Sequence, residues 1–125
     1  MLSKKRRILR KDLPYILTKG KRYNSKSLLM YVVKQQTTVP EQSSVRGSSS
    51  KLARFSFSVS KKIEKSAVKR NKLRRQGYSV IDRHIEQIKE GNLFFFVFKK
   101  GSNTITFNNL EKEVLQLLSA SSVLV

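Results

Sequence analysis

The side chains best suited to chemistry in this sequence are cations, and they concentrate in residues 61–75. This segment holds eight lysines or arginines and a single acid, Glu64. The cations are Lys61, Lys62, Lys65, Lys69, Arg70, Lys72, Arg74 and Arg75. Like charge at this density destabilises a helix that has no ligand, whereas phosphate groups are stabilised at helix N-termini. The pattern therefore predicts a surface that binds a polyanion.

The distribution of charge along the chain favours nucleic acid as that polyanion. The 125 residues carry a formal net charge of +19. Residues 1–75 contain 22 basic and 3 acidic side chains, and residues 76–125 contain 5 of each. A merely solvated surface mixes the signs, and a disordered basic tail lacks the apolar periodicity found here. We favour a folded nucleic-acid-binding surface, with a membrane surface or an acidic protein as the alternative partners.

Few residues are available for catalysis or metal binding by the protein itself. Cysteine is absent, and His84 is the only histidine. Metal-assisted cleavage of RNA needs several convergent carboxylates, but the one regular helical pair is Asp82 and Glu86, in the neutral part of the chain. We expect no catalytic residue and no metal site in the protein. His84 projects onto an apolar helix stripe, so we expect it to be packed or at the edge of the core.

The same sequence predicts where the chain is found in the cell. The longest apolar run has six residues, whereas a transmembrane helix needs about 20. No apolar stretch of signal-peptide length follows the basic N-terminus. We therefore expect a cytoplasmic protein.

The first half of the chain predicts one helix and one strand around flexible segments. Residues 1–11 form a basic arm that we expect to be mobile until it binds. Asp12 as N-cap and Gly20 at the C′ position predict a short helix between them, and residues 28–34 are typical of a strand. Residues 35–52 are rich in serine, with Pro40 and Gly47. We interpret them as a long, flexible hairpin connection, with a disordered insertion as the favoured state.

The second half predicts a strand, a helix, a strand and a helix. Residues 53–60 alternate apolar and polar side chains, as a half-buried strand does. Ser66 is a candidate cap for a helix whose apolar stripe runs from Leu73 to Ile88 and includes Gly77, where the helix could bend or let another segment approach closely. Residues 93–98 are apolar on both faces, which indicates a covered strand. Asn108 or Asn109 is expected to cap the last helix.

The predicted fold is therefore a single α+β domain over residues 1–125. The elements follow the order α-β-β-α-β-α, which we interpret as a two-layer α/β sandwich. Strands joined by a helix are normally parallel, while the first two strands are expected to be antiparallel. A mixed sheet with helices against one face follows from these rules.

The basic segment and the strand before it resemble a known family signature. The residues are Phe55-Ser56-Phe57-Ser58-Val59-Ser60-Lys61-Lys62-Ile63, and then Ala67-Val68-Lys69-Arg70-Asn71-Lys72-Leu73-Arg74-Arg75. They are similar to the bacterial ribonuclease P protein subunit, in which a strand ending in Ser-x-Ser-Lys-Lys precedes an Arg-Asn-Arg helix. The resemblance covers nearly the whole chain apart from the serine-rich loop.

The resemblance implies a function and the residues that perform it. Members of the family bind a large catalytic RNA and assist its Mg²⁺-dependent removal of the 5′ leader from precursor tRNA. The RNA contacts are then expected at Lys61, Lys62, Lys65, Lys69, Arg70, Asn71, Lys72, Arg74 and Arg75. The cleft for the single-stranded leader is expected at Leu13, Leu17, Leu29, Tyr31 and Phe57. The resemblance also implies a left-handed crossover between the parallel strands. No membrane or small-molecule partner is expected.

The sequence departs from the family pattern at three places. Lys72 replaces the last arginine of the motif, which keeps the charge but loses the planar fork. Gln76, Gly77 and Tyr78 follow where leucine and a further arginine are usual. Leu13 and Leu17 occupy first-helix positions that are commonly aromatic, so base stacking falls mainly to Tyr31.

Two other functions remain open on sequence grounds. One is a structural RNA-binding protein of ribosomal type, with no role in tRNA processing. The other is an architectural protein for double-stranded DNA, which is disfavoured because no recognition helix or minor-groove arm with a dimer seam is evident.

Overall fold

A computed structural model describes residues 6–34 and 53–121 of the chain. The helices are α1 (Leu13–Lys19), α2 (Ala67–Arg83) and α3 (Phe107–Ala120), and the strands are β1 (Lys21–Asn24), β2 (Leu28–Lys34), β3 (Arg54–Ser58) and β4 (Asn92–Phe98). Short 3-10 turns occupy Arg10–Asp12, Ile85–Gln87 and Ser102–Thr104. The expectation of disorder for residues 35–52 lies outside the described residues.

The four strands form one mixed sheet in the order β1-β2-β4-β3. β1 pairs antiparallel with β2, β2 pairs antiparallel with β4, and β3 pairs parallel with β4. The predicted α+β class, the mixed sheet and the parallel pair joined by a helix are confirmed. The left-handed path of that connection stays a prediction, because strand order and direction do not test it.

Two details of the sheet differ from the prediction. β1 was not expected, because its four residues are mostly charged or polar and show little apolar alternation. The connection between β2 and β3 is not a hairpin, because β4 lies between these two strands in the sheet. The two strands do run in opposite directions, since one is antiparallel and the other parallel to β4.

The sheet buries apolar residues on both faces. Residues 94, 96 and 98 of β4 belong to the main core with α2 and α3, whereas Leu93 and Phe95 pack with Ile16 of α1. Alternation along a strand sends successive side chains to opposite faces, so α1 lies on the face opposite α2 and α3. The expected packing of all helices on one face is therefore corrected. We call the two sides the core face, covered by α2 and α3, and the α1 face.

A glycine lets α2 approach the core face. A Cβ on Gly77 would lie 2.6 Å from the Phe57 ring, well inside normal contact. Phe57 in turn stacks on Phe96 with ring centroids 4.6 Å apart. Of the two roles considered for Gly77, the structure shows the close approach of another segment.

The helix ends match the sequence prediction in part. Ser66 caps α2 as predicted, since its hydroxyl accepts a hydrogen bond from the Lys69 N–H at 3.3 Å. Thr106, not Asn108 or Asn109, caps α3 by accepting from the Asn109 N–H at 3.2 Å. Asp12 precedes α1 but makes no side-chain cap, and Gly20 is extended rather than left-handed.

Part of the basic arm is docked against the sheet rather than free. Ile8 donates its N–H to the Phe55 carbonyl at 3.1 Å, and Arg7 bridges Phe55 in parallel. Arg6 pairs with both carboxylate oxygens of Glu90, at 2.9 and 3.0 Å. The expectation of a mobile arm is thus wrong for residues 6–8, which cover the outer edge of β3.

Candidate nucleic-acid interface

The first two turns of α2 project a cationic surface away from the core. Leu73 is the first buried residue of the helix, and the positions before it are at least partly exposed. The exposed motif side chains are Lys61, Lys62, Lys65, Lys69, Asn71, Lys72 and Arg75. The first turn of α2 itself contains no acid, and the positive end of a helix dipole favours anions. Nine predicted site residues thus share one stretch of surface.

Arg70 has a structural role that the sequence did not predict. Its Nη1 donates hydrogen bonds to the carbonyl oxygens of Glu64 and Lys65, each at 2.9 Å. The Glu64 carboxylate accepts a hydrogen bond from the Ser66 N–H at 3.1 Å. Arg70 therefore helps to fix the loop that carries the lysines, in addition to adding charge.

Asn71 and Arg74 act together on the same helix. The Arg74 Nη2 donates a hydrogen bond to Asn71 Oδ1. This contact uses the amide oxygen of the exposed Asn71, whose amide N–H groups can donate to other acceptors, for example phosphate or ribose oxygens. The pair thus presents oriented hydrogen-bond donors on the basic surface.

The α1 face of the sheet offers a different kind of surface. Cross-strand pairing forms three rows across this face. The rows are Asn24-Leu29-Val97-Ser58, then Arg22-Tyr31-Phe95-Ser56, then Val33-Leu93-Arg54. The first two rows are apolar in the centre and polar or cationic at both edges, whereas the third is apolar except for Arg54 at one edge. Such a strip, with an aromatic ring among the partly exposed apolar residues, is suited to unpaired bases flanked by phosphates.

Four of the five residues predicted for the leader cleft lie on this side of the sheet. Tyr31 is partly exposed, and its ring centroid lies 6.0 Å from that of Phe95. Leu29 is also partly exposed, and Leu13 packs against the same cluster. Leu17 of α1 is 50% exposed.

Phe57 is the exception among the predicted cleft residues. It belongs to the main core and is only 3% exposed. Since Phe55 and Phe57 alternate with Ser56 and Ser58, their rings turn to the core face and the serines to the α1 face. Phe57 is therefore removed from the cleft, and Ser56 and Ser58 take the corresponding positions.

Arg22 and Asn24 were missed by the sequence analysis. Both lie on β1, which was not predicted, and they extend the rows of Tyr31 and Leu29. The only sequence signal was Tyr23, a partly buried side chain that packs against the main core. A single apolar residue in four does not establish a strand period.

The histidine and several of the acids have contacts within the fold. His84 lies at the end of α2, and its Nε2 is 2.8 Å from Glu111 Oε2, which agrees with its expected place at the edge of the core. Asp82 also has an interaction partner. Arg6 holds the pKa of Glu90 below its usual value of 4.5, mainly through the side-chain hydrogen bond. Within residues 6–34 and 53–121, no three potential metal-ligating side chains come together.

These observations define a class of RNA-binding protein. A mixed α+β sheet carries a cationic helix start and a partly apolar face edged with polar groups, which is an arrangement suited to binding RNA. No helix among the described residues is long and apolar enough to cross a membrane.

Comparisons with known proteins identify the family. A family model described as Ribonuclease P matches residues 2–121, so the chain belongs to the ribonuclease P protein family. The Ribonuclease P protein component of Microcystis aeruginosa (strain NIES-843 / IAM M-2473) is 27% identical over 115 residues, covering 92% of this chain and 88% of that protein. Membership implies an RNA partner in a ribonucleoprotein and involvement in tRNA 5′ processing.

Solved structures show the same fold. The Staphylococcus aureus RNase P protein matches with a TM-score of 0.78 at 20% identity, over 96% of this chain and 98% of that chain. The Thermotoga maritima RNase P protein matches with a TM-score of 0.74 at 20% identity, over 91% of this chain and 96% of that chain.

Proposed function

We propose that this chain is the protein subunit of ribonuclease P and binds two RNA elements. The cationic start of α2 binds the catalytic RNA, and the α1 face binds the single-stranded 5′ leader of precursor tRNA. The RNA subunit performs the cleavage. The observation that carries this proposal is the pairing of two chemically different surfaces on one small domain of this family.

The charge and exposure of α2 support binding to a structured RNA. Lysine and arginine contacts to phosphates supply most of the affinity for a folded nucleic acid and make it depend on salt. The exposed Lys69 and Lys72 lie three residues apart on the helix, so they meet neighbouring phosphates from one side.

The α1 face supports binding to an unpaired strand. Bases that are not paired expose their flat faces, which stack on aromatic rings and rest on apolar side chains. Tyr31 and Leu29 supply such contacts here, and Arg22 lies beside Tyr31 in the neighbouring strand.

Magnesium belongs with the RNA in this proposal. Mg²⁺ is bound by oxygen ligands, usually one or two carboxylates together with phosphates. Three carboxylates of the described part already have partners: Glu90 pairs with Arg6, Glu111 with His84, and Glu113 with the turn between β1 and β2. The described residues thus do not fit a dedicated protein site, and no step is assigned to a metal on the protein.

Reconstitution with a ribonuclease P RNA tests the proposal. We expect the purified protein to restore removal of the leader at a low Mg²⁺ concentration at which the RNA alone is slow. A protein that binds this RNA without changing the cleavage rate would instead be a structural RNA-binding protein of ribosomal type.

A further inference from the structure

One end of the sheet gathers lysines from parts of the chain that are distant in sequence. β3 and β4 end there and β2 begins there, because Ser58 pairs with Val97 and Leu28 pairs with Phe98. The segments after β3, after β4 and before β2 therefore lie side by side. They carry Lys61 and Lys62, Lys99 and Lys100, and Lys26, respectively.

The turn that presents Lys26 is firmly held. Lys99 donates its backbone N–H to the Ser27 carbonyl and its Nζ to the Ser25 carbonyl, both at 2.8 Å. Glu113 of α3 accepts hydrogen bonds from the Ser25 hydroxyl at 2.6 Å and from the Ser27 N–H at 2.7 Å. The ammonium group of Lys99 is thus used inside the fold, while Lys26 and Lys100 remain exposed.

The exposed lysines at this end have no acidic partner in the described part of the chain. The ion pairs found within residues 6–34 and 53–121 involve Arg6, Arg83 and His84, and none of them involves Lys26 or Lys100. Adjacent strands lie about 4.8 Å apart, so the ends of β3 and β2 are about 10 Å apart. One strand of duplex DNA advances roughly 3.4 Å along the helix axis per phosphate, so lysines spread over this span can meet different phosphates.

The lysine row borders the open part of the α1 face. The first row of that face, with Leu29, Val97 and Ser58, is partly exposed throughout. The row at the opposite end, which has Leu93 in its centre, is covered because Leu93 packs with Ile16 of α1. A strand lying on the open row therefore reaches the lysines as it leaves the sheet, whereas α2 packs on the opposite face.

We propose that Lys26 and Lys100, aligned with Lys61, bind phosphates of the single-stranded leader where it leaves the α1 face. This inference rests on the proposed function and adds the path of the leader beyond Tyr31 and Leu29. It assigns a role to two lysines outside the basic motif, one of them in the half of the chain with no net charge.

Leader length tests the inference in the reconstituted holoenzyme. The variant is Lys26→Gln/Lys100→Gln, and the ligands are precursor tRNAs with leaders from one nucleotide upwards, together with mature tRNA. We expect weaker binding only for leaders long enough to reach the lysines. For those leaders, two lost phosphate contacts should flatten the salt dependence by about 1.4 log units per log unit of salt.

A matched control variant distinguishes the effect of where the lysines lie from the effect of the net charge. Lys34 ends β2 beside Asn92, and Lys89 lies just before β4, so both are exposed at the opposite end of the sheet. Lys34→Gln/Lys89→Gln removes the same charge and should leave the dependence on leader length unchanged.

Three results would overturn the inference. The first is an equal loss of precursor tRNA affinity in both double variants, and the second is a loss of affinity that is the same for every leader length. The third is a loss of affinity for the catalytic RNA alone. The proposed function fails separately, if the wild-type protein does not favour precursor over mature tRNA at any leader length.

Discussion

At the scale of single residues, the two RNA surfaces depend on different interactions. Tyr31 supplies a flat ring on the α1 face, and Phe95 lies beside it on the neighbouring strand with the ring centroids 6.0 Å apart. The cations of α2 supply charge. Stacking depends weakly on salt and charge contacts depend strongly on it, so substitutions in the two surfaces should have distinguishable effects.

The first prediction concerns the ring of Tyr31. Tyr31→Ala should weaken precursor tRNA binding by about 5- to 150-fold, because stacking contributes about 1–3 kcal/mol per base. Binding of mature tRNA, measured under the same conditions, should be unchanged. Tyr31→Phe keeps the ring and should bind nearly as the wild type does. Equal losses for precursor and mature tRNA would place Tyr31 outside the leader surface.

The second prediction separates two kinds of cation on α2. Lys69→Gln/Lys72→Gln should flatten the salt dependence of catalytic-RNA binding by about 1.4 to 1.8 log units per log unit of salt, without loss of stability. Arg70→Gln should also lower the free energy of unfolding by about 1 kcal/mol, because its hydrogen bonds to Glu64 and Lys65 are lost. Salt titrations and chemical denaturation check the two effects. An unchanged slope in the folded lysine variant would show that these side chains do not meet phosphates.

At the scale of elements, the closeness of α2 to the sheet depends on Gly77. Glycine in a helix interior costs about 1 kcal/mol relative to alanine. Here the missing Cβ makes room for the Phe57 ring, which is itself packed between α2 and Phe96. The position of the cationic helix start relative to the sheet therefore depends on one small residue two turns further along.

The third prediction tests that contact. Gly77→Ala should lower the free energy of unfolding by up to about 2 kcal/mol, since overpacking costs about 1–3 kcal/mol and the gain in helix propensity returns about 1 kcal/mol. Ser79→Ala, at an exposed position of the same helix, should be nearly neutral. Urea denaturation gives both values. A stabilised Gly77→Ala protein would show that the Phe57 ring moves aside without cost.

Strong local patterns predicted most of the elements. The alternation of β3 and the continuous apolar run of β4 each indicate a strand without further information, and the signature on α2 indicates RNA. What the sequence could not predict depends on partners that are distant in the chain. β1 is defined by its pairing with β2, the burial of Phe57 by its contact with Gly77, and the docking of Arg6 by Glu90.

At the scale of the whole molecule, the contact of Glu90 with the docked arm makes stability depend on pH. Glu90 accepts two hydrogen bonds from Arg6 and one from the Ala53 N–H. Because its pKa is lowered on folding, the ionised group stabilises the native state above pH 4.5, and this contribution is lost as the pH falls through the lowered pKa.

The fourth prediction follows from that sign. Glu90→Gln should accelerate amide hydrogen exchange at Ile8, whose N–H donates to Phe55, when it is compared with the wild type near neutral pH. The difference should shrink below pH 4.5 as Glu90 becomes protonated. Glu86→Gln, an exposed acid nearby, should have no such effect. A difference in exchange rate that does not change with pH would show that ionised Glu90 does not hold the arm in place.

The fifth prediction concerns the protein without RNA. Purified protein should not cleave precursor tRNA at any Mg²⁺ concentration, because no three potential metal-ligating side chains come together within the described part of the chain. The assay includes Asp82→Ala/Glu86→Ala as a comparison. Cleavage by the wild type that is lost in this variant would contradict the expectation.

The central position of β4 has a consequence for biosynthesis. β2 and β3 both need β4 as their neighbour, and β4 begins at Asn92, after all the excess positive charge of residues 1–75. A growing chain therefore exposes its cations, and the unpaired edges of two apolar strands, before the sheet can close. Because β4 is the last strand to be synthesised and both β2 and β3 pair with it, folding of the sheet cannot proceed in step with translation. The net charge of +19 on residues 1–75 is thus synthesised before the four-stranded sheet can form.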